Sequence, residues 1–144
     1  MARALEILVV EDDPLIQRLI EAVFKAATLG AFLVRRASTL EEGITATRTI
    51  TPDLVLLDLD LPDAKGLEGV RAMLALAPQA AVVILTSNDD DQMAIEAIRL
   101  GAQDCIRKLA GLERVLPRAV SFAVERQRQR AEMAAQLAKL RGKA

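Results

Sequence analysis

Three short apolar runs, each closed by an acidic or hydroxyl residue, limit what this chain can fold into more than any other feature. Leu5-Glu6-Ile7-Leu8-Val9-Val10 runs into Glu11-Asp12, Leu54-Val55-Leu56-Leu57 into Asp58, and Ala81-Val82-Val83-Ile84-Leu85 into Thr86. None shows the every-second-residue polarity of a strand with one wet face. Runs of this length without alternation suit strands buried on both faces of a parallel sheet. Phe32-Leu33-Val34 and the weaker Cys105-Ile106 supply a second and a fifth strand in chain order.

Amphipathic stretches lie between the runs. Asp13-Pro14 offers an N-cap followed by proline at the first helical position, opening a helix to about Ala27. Ser38-Thr39-Leu40-Glu41 fits a capping box for a second helix. Further helices are predicted over 66–76 and 89–100, the latter led by Asn88 and three aspartates whose charge suits a helix N-terminus. A last helix is predicted from near Leu112 toward Leu140, with Pro117 near its start or at a kink. This alternation predicts an α/β domain: a doubly wound, five-stranded parallel sheet with right-handed crossovers and an extended C-terminal helix.

Composition removes several function classes. The 144 residues support one domain, and 52% of them are apolar, which excludes disorder and collagen-like repeats. The only aromatics are Phe24, Phe32 and Phe122, so the core is built from Leu, Ile, Val and Ala. One cysteine, Cys105, excludes an internal disulfide framework and multi-cysteine zinc sites. With no histidine, the common zinc sites, Ser-His-Asp triads and Cys-His dyads are excluded too. No apolar run reaches 18 residues and the first five residues make no signal peptide, so a soluble cytoplasmic protein without membrane contact is expected. The net charge of −1 conceals a split: residues 1–124 carry 13 basic and 18 acidic side chains, residues 125–144 six basic and two acidic. An acidic body over 4–124 followed by a basic helical extension or linker over 125–144 is expected.

Glu11, Asp12, Asp58, Thr86 and Lys108 each fall at or just beyond the C-terminal end of a predicted strand. Ligands of open α/β sheets bind at that edge. Three carboxylates with room for water favour a hard divalent cation, foremost Mg²⁺ held by few protein oxygens. A lysine and a hydroxyl beside them suit a phosphoryl group, whose charge needs neutralising. A metal-flanked aspartate can itself be the nucleophile, so the cluster reads as a site for moving phosphate onto Asp58.

These residues resemble the receiver domains of bacterial two-component response regulators. The resemblance covers about residues 4–124. It rests on Val9-Val10-Glu11-Asp12-Asp13-Pro14, on Asp58-Leu59-Asp60-Leu61-Pro62-Asp63-Ala64-Lys65-Gly66-Leu67, on Ile84-Leu85-Thr86-Ser87, and on Gly101-Ala102-Gln103-Asp104-Cys105-Ile106-Arg107-Lys108. It implies the flavodoxin-like strand order 2-1-3-4-5, an order the receiver family itself exemplifies. It further implies Asp58 as phosphoacceptor, Glu11 and Asp12 as the acidic pair at Mg²⁺, and the backbone carbonyl of Asp60 as a further ligand. Thr86 would hydrogen-bond one phosphoryl oxygen and Lys108 would pair with another. The donor would be a phosphohistidine on a sensor histidine kinase or a histidine phosphotransfer protein, since this chain has no histidine.

Plainer roles are expected nearby: Asp13 as a helix cap, Asp60 with a solvent-facing side chain that tunes access to the phosphate, and the 89–91 aspartates as a helix-start charge run. Cys105 is expected to be a small edge-strand residue rather than a reactive thiol. Receivers usually carry Tyr or Phe where Cys105 stands, and Pro after the lysine where Leu109 stands. A cis bond before Leu109 would cost about 2.5–4 kcal/mol, so a trans bond in a reshaped loop is expected. Cys105 is too small for a rotating plug, which leaves Thr86 and the backbone to carry a switch.

Beyond Val124, residues Ala131, Met133, Ala134, Leu137, Ala138 and Leu140 form a weak apolar stripe that Gln127 and Arg130 interrupt. It suits either a solvated helix or a helical link to a homodimer or a downstream output domain. The basic run lacks aromatics and no helix-turn-helix follows, so no direct nucleic-acid binding is expected. Two other functions compete. One is an interaction module working without phosphate, motivated by Cys105 and Leu109. The other is a haloacid-dehalogenase-like phosphatase, suggested by Asp58-Leu59-Asp60, Thr86 and Lys108. The latter needs an acidic pair at a strand end after the lysine, where only Glu113, Glu125 and Glu132 follow.

Overall fold

The computed structural model describes residues 3–28, 30–87, 91–108 and 111–142. Five parallel strands form one sheet: β1 (Leu5–Val10), β2 (Phe32–Ala37), β3 (Leu54–Asp58), β4 (Ala81–Thr86) and β5 (Asp104–Arg107), in the order β2-β1-β3-β4-β5. The register sets Ile7 beside Leu54, Leu54 beside Ala81 and Val83 beside Asp104. The helices are α1 (Pro14–Ala26), α2 (Leu40–Thr49), α3 (Glu68–Leu76), α4 (Asp91–Leu100) and α5 (Leu112–Gly142). The architecture is thus the doubly wound sheet in order 2-1-3-4-5.

The unbroken apolar runs have a direct cause. Ile7, Val9, Leu54, Leu56, Val83 and Leu85 pack with Ile20 and Phe24 of α1 and Leu116 and Val120 of α5. Their sequence neighbours Leu8, Val10, Val55, Leu57, Val82 and Ile84 face the other way, onto Val70 and Met73 of α3 and Ala97 of α4. Both faces of the central strands therefore meet a core. On that second face Gly43 lets α2 lie close to β1, since a Cβ there would stand 2.9 Å from Val10 Cγ2.

Helix starts follow local chemistry. Asp13 caps α1, its side chain accepting from the Leu15 N–H at 2.9 Å, with Pro14 in the first turn. The cap of α2 lies one residue later than the sequence suggests. Thr39, not Ser38, accepts from the Glu42 N–H at 3.1 Å, and Glu42, not Glu41, reaches back to the Ser38 N–H at 2.7 Å. The expected lead of Asn88, Asp89 and Asp90 into α4 lies outside the described residues, and so does Leu109 with its peptide bond.

α5 follows β5 and runs back along the sheet toward the N-terminal ends of the strands. Its last buried residue is Val124, and residues 128–142 are exposed throughout. Gln127, which breaks the apolar stripe, has a structural task where the helix leaves the body. Its Nε2 donates to the Pro78 carbonyl at 3.2 Å and its Oε1 accepts from Gln103 Nε2 at 3.1 Å. Among the described residues no helix is long and apolar enough to cross a membrane.

Candidate functional site

The sheet order determines which strand ends meet. β1 and β3 are neighbours, so Glu11 and Asp12, which follow β1, stand beside Asp58, the last residue of β3. Carboxylate oxygens of these three residues lie within 4.8 Å of one another. Glu11 is fully buried and Asp58 is 5% exposed, while Asp12 faces solvent. Asp58 Oδ1 accepts from the Asp60 N–H at 3.0 Å, and Glu11 Oε2 accepts from the Asp13 N–H at 3.0 Å.

Lys108 closes the cluster from the far side. It follows β5, and its backbone N–H donates to the Thr86 carbonyl at 2.9 Å, extending the β4–β5 ladder to the sheet edge. From there its side chain reaches across β4, with the stem covered and the ammonium ion-paired to Glu11 Oε1 and, at 3.0 Å, to Asp58 Oδ2. Burial pushes the Glu11 carboxyl from the ordinary 4.5 up to about 7, against the pull of Lys108 and the Asp13 N–H and aided by the charge of Asp58. Burial alone would depress the Lys108 ammonium, but its bonds to Glu11 and Asp58 outweigh this and hold it above the usual lysine range.

The donor set fits a hard divalent cation. It consists of oxygens only, and Glu11 Oε1 is buried with the Lys108 ion pair but no hydrogen bond of good geometry. The three carboxylates stand close enough together that they would hold one such cation, with water completing its coordination. An acidic cluster of this kind is typical of the Mg²⁺ site in receiver domains.

A cavity of about 230 Å³ opens beside Asp58, lined by Asp60, Lys65, Thr86, Met93 and Cys105 among others. Cys105 stands half-buried in edge strand β5, and burial pushes its thiol up, so it is held as the poorly nucleophilic neutral form. Glu113, Glu125 and Glu132 all belong to α5, so none of them supplies the strand-end acidic pair after Lys108 that the phosphatase reading requires.

Sequence reasoning did not single out Gln17, Asp63 or Lys65. Gln17 of α1 is buried and donates from Nε2 to the carbonyls of Glu11 and, at 3.1 Å, Ala37, tying together the ends of β1 and β2. Asp60–Leu61 pairs antiparallel with Ala64–Lys65 in a two-stranded ribbon directly after Asp58. Its turn carries Asp63, whose carboxylate accepts from the Leu40 N–H at 2.8 Å and the Glu41 N–H at 3.0 Å. The Pro62-Asp63 turn between two apolar residues was the available signal.

Asp63 thereby satisfies two open N–H groups at the start of α2. Those two bonds hold its carboxyl below the usual aspartate range. Asp63→Ala is expected to lower stability by about 1 kcal/mol in urea unfolding. A depressed carboxyl contributes above its unfolded value and loses that contribution as pH falls through its folded one. The wild-type advantage over Asp63→Ala should therefore vanish in acid; an equal gap at pH 7 and pH 2.5 would contradict the assignment.

Comparison with known proteins agrees with this geometry. The family model described as the response regulator receiver domain matches residues 7–119. A KDP operon transcriptional regulatory protein of Escherichia coli is 31% identical over 106 residues, covering 74% of this chain and 45% of that protein. A protein-glutamate methylesterase/protein-glutamine glutaminase of Agrobacterium fabrum is 33% identical over 112 residues, covering 76% of this chain and 31% of that protein. The chain thus spans less than half of the length of these relatives, 31% of one and 45% of the other. Among solved structures, a CheY-like receiver domain protein of Methanospirillum hungatei superposes with a TM-score of 0.78 at 23% identity, covering 89% of this chain and 99% of that one, a likeness of fold.

Proposed function

The chain belongs to the response regulator receiver family, and we propose that its Asp58 accepts a phosphoryl group from the phosphohistidine of a sensor histidine kinase or a histidine phosphotransfer protein. One observation carries this reading: Asp58, Glu11, Asp12 and Lys108, from three separate strand ends, converge on one point of the sheet edge.

Asp58 is the nucleophile. A carboxylate oxygen forms the new O–P bond while the P–N bond to the donor imidazole breaks, and the departing imidazole takes up a proton. Lys108 Nζ and the Asp60 N–H hold the two Asp58 oxygens and fix the direction in which they point. Glu11, Asp12, Asp58 and the Asp60 carbonyl would hold Mg²⁺, which when bound supplies positive charge to the phosphoryl oxygens. Asp58 loses its own charge on becoming an acyl phosphate, so the ammonium of Lys108 transfers its pairing to a phosphoryl oxygen. Thr86, lining the same cavity, offers its hydroxyl to another. With Cys105 in place of a ring, Thr86 and the backbone beyond β4 carry the switch toward α4; residues 88–90 of that connection lie outside the described residues.

Residues 4–124 form the receiver in this reading, and 125–144 a helical extension leading to a second copy or an output domain. The end of burial at Val124 supports that division. Acetyl phosphate with Mg²⁺ should add one phosphoryl group by intact mass, and EDTA or Asp58→Asn should abolish it. An adduct that persists in Asp58→Asn would overturn the assignment. No adduct with any phosphodonor would leave a phosphate-independent interaction module as the better reading.

A further inference from the structure

Lys65 faces the same cavity as Asp58 and Thr86, from the ribbon that follows Asp58. The ribbon register sets Asp60 opposite Lys65, and Lys65 Nζ contacts Asp60 Oδ1 at 2.7 Å. Both side chains are well exposed, 66% for Lys65 and 81% for Asp60, so water competes for the pair and holds it weakly. Asp60 holds the ammonium above its ordinary range, with Asp12 and Asp58 as the further carboxylates in its field. Gly66, at φ +60°, turns the chain immediately after Lys65 and leaves the flank of the cavity without a side chain.

We propose that Lys65 is a second, exchangeable cation for the phosphoryl group on Asp58, released from Asp60 once that group is in place and setting how long the acyl phosphate survives. This rests on Asp58 being the phosphoacceptor. Phosphorylation replaces a carboxylate of charge −1 by an acyl phosphate of charge about −2 beside the ribbon. The ammonium then has a stronger partner than an exposed single carboxylate. Lys108 meets the phosphoryl group from within the cluster, whereas Lys65 and Asp60 line the cavity that opens beside Asp58. Loss of the phosphoryl group requires a water oxygen to bond to phosphorus as the P–O bond to Asp58 breaks, giving inorganic phosphate, the free carboxylate and a proton. A lysine stem and ammonium on that open side hold phosphoryl charge in the ground state and occupy space the water needs.

The two ribbon residues therefore have opposed effects, which a purely structural ion pair would not produce. The full chain is phosphorylated with acetyl phosphate and Mg²⁺, the donor is removed, and decay of the adduct is followed by intact mass. Lys65→Gln should shorten the half-life about 3-fold or more, Lys65→Arg should preserve most of it, and Asp60→Asn should lengthen it by freeing the ammonium. Asp60→Asn/Lys65→Gln should match Lys65→Gln. Raising the salt concentration should shorten the wild-type half-life toward that of Lys65→Gln and leave Lys65→Gln unchanged. Equal half-lives in wild type and Lys65→Gln, or shifts in the same direction for Lys65→Gln and Asp60→Asn, overturn the proposal while leaving Asp58 as phosphoacceptor. Failure of the wild type to gain any phosphoryl group overturns both.

Discussion

Lys108→Ala is expected to leave a folded protein that is about 3 kcal/mol less stable at pH 8 without Mg²⁺, because it strips the ammonium that bridges two buried carboxylates. The loss should shrink at pH 5.5, where Glu11 takes up a proton and the uncompensated charge is removed. Mg²⁺ should restore most of it by supplying the missing positive charge. Mg²⁺ affinity itself should hold or rise, since the ammonium and the metal draw on the same carboxylates and no longer oppose each other. Calorimetric titration with Mg²⁺ and urea unfolding at both pH values test this. A large fall in Mg²⁺ affinity would mean that Lys108 does not sit where the ion pairs place it. The response to a phosphate mimic such as beryllofluoride should also be impaired, because the ammonium can no longer transfer from Asp58 to the new oxygens.

Glu11 makes the metal-free protein respond to pH in an unusual direction. Its carboxyl titrates at about 7 when folded and near 4.5 when unfolded, so between those values the folded chain binds the extra proton. Linkage then requires this group's contribution to stability to fall as pH rises from about 4.5 to 7. Unfolding in EDTA should show stability decreasing from pH 5 to pH 7.5. Saturating Mg²⁺ should flatten that decrease, because the metal binds the ionised form. Metal affinity in turn should be about tenfold weaker at pH 6 than at pH 8, the proton and the cation competing for one carboxylate. Glu11→Gln removes the titrating group and should abolish the slope in EDTA. A slope unchanged in Glu11→Gln would assign it to another group.

Much of this was legible in the sequence, and the reasons differ by element. The strands were readable because both faces of β1, β3 and β4 are buried, which erases alternation and leaves runs that no surface element shows. Asp13-Pro14 marked the start of α1 because cap and proline both act locally. The start of α2 was displaced by one residue, since Ser38 and Thr39 are equivalent as caps in sequence. What separates them is a distant group: the Asp63 carboxylate takes the N–H groups of Leu40 and Glu41. Glu11, Asp12, Asp58 and Lys108 could be named in advance because strand ends of one sheet share an edge. The double contact of Lys108 with Glu11 and Asp58 could not, because it depends on how far one flexible stem reaches across β4. Lys65 was hidden for a similar reason, since a lysine near a turn has no meaning until the ribbon sets it opposite Asp60.

α5 begins just after Lys108 and Gly111 and leaves the body at Gln127, so one helix joins the sheet edge to solvent. Its 31 residues correspond to a rod of ~46 Å, of which the exposed part beyond Val124 is ~27 Å. On either side of Gln127 lie two halves of ~23 Å each; the inner one begins near the ion pairs at the sheet edge and the outer one is bare. A change of tilt by about 5° would move the free tip by roughly 2 Å, comparable to the helix displacements on which interfaces switch. A tilt about Gln127 would therefore be presented, without amplification, on the exposed half at the opposite end of the molecule. The hydrogen bonds of Gln127 to Pro78 and Gln103 hold the pivot.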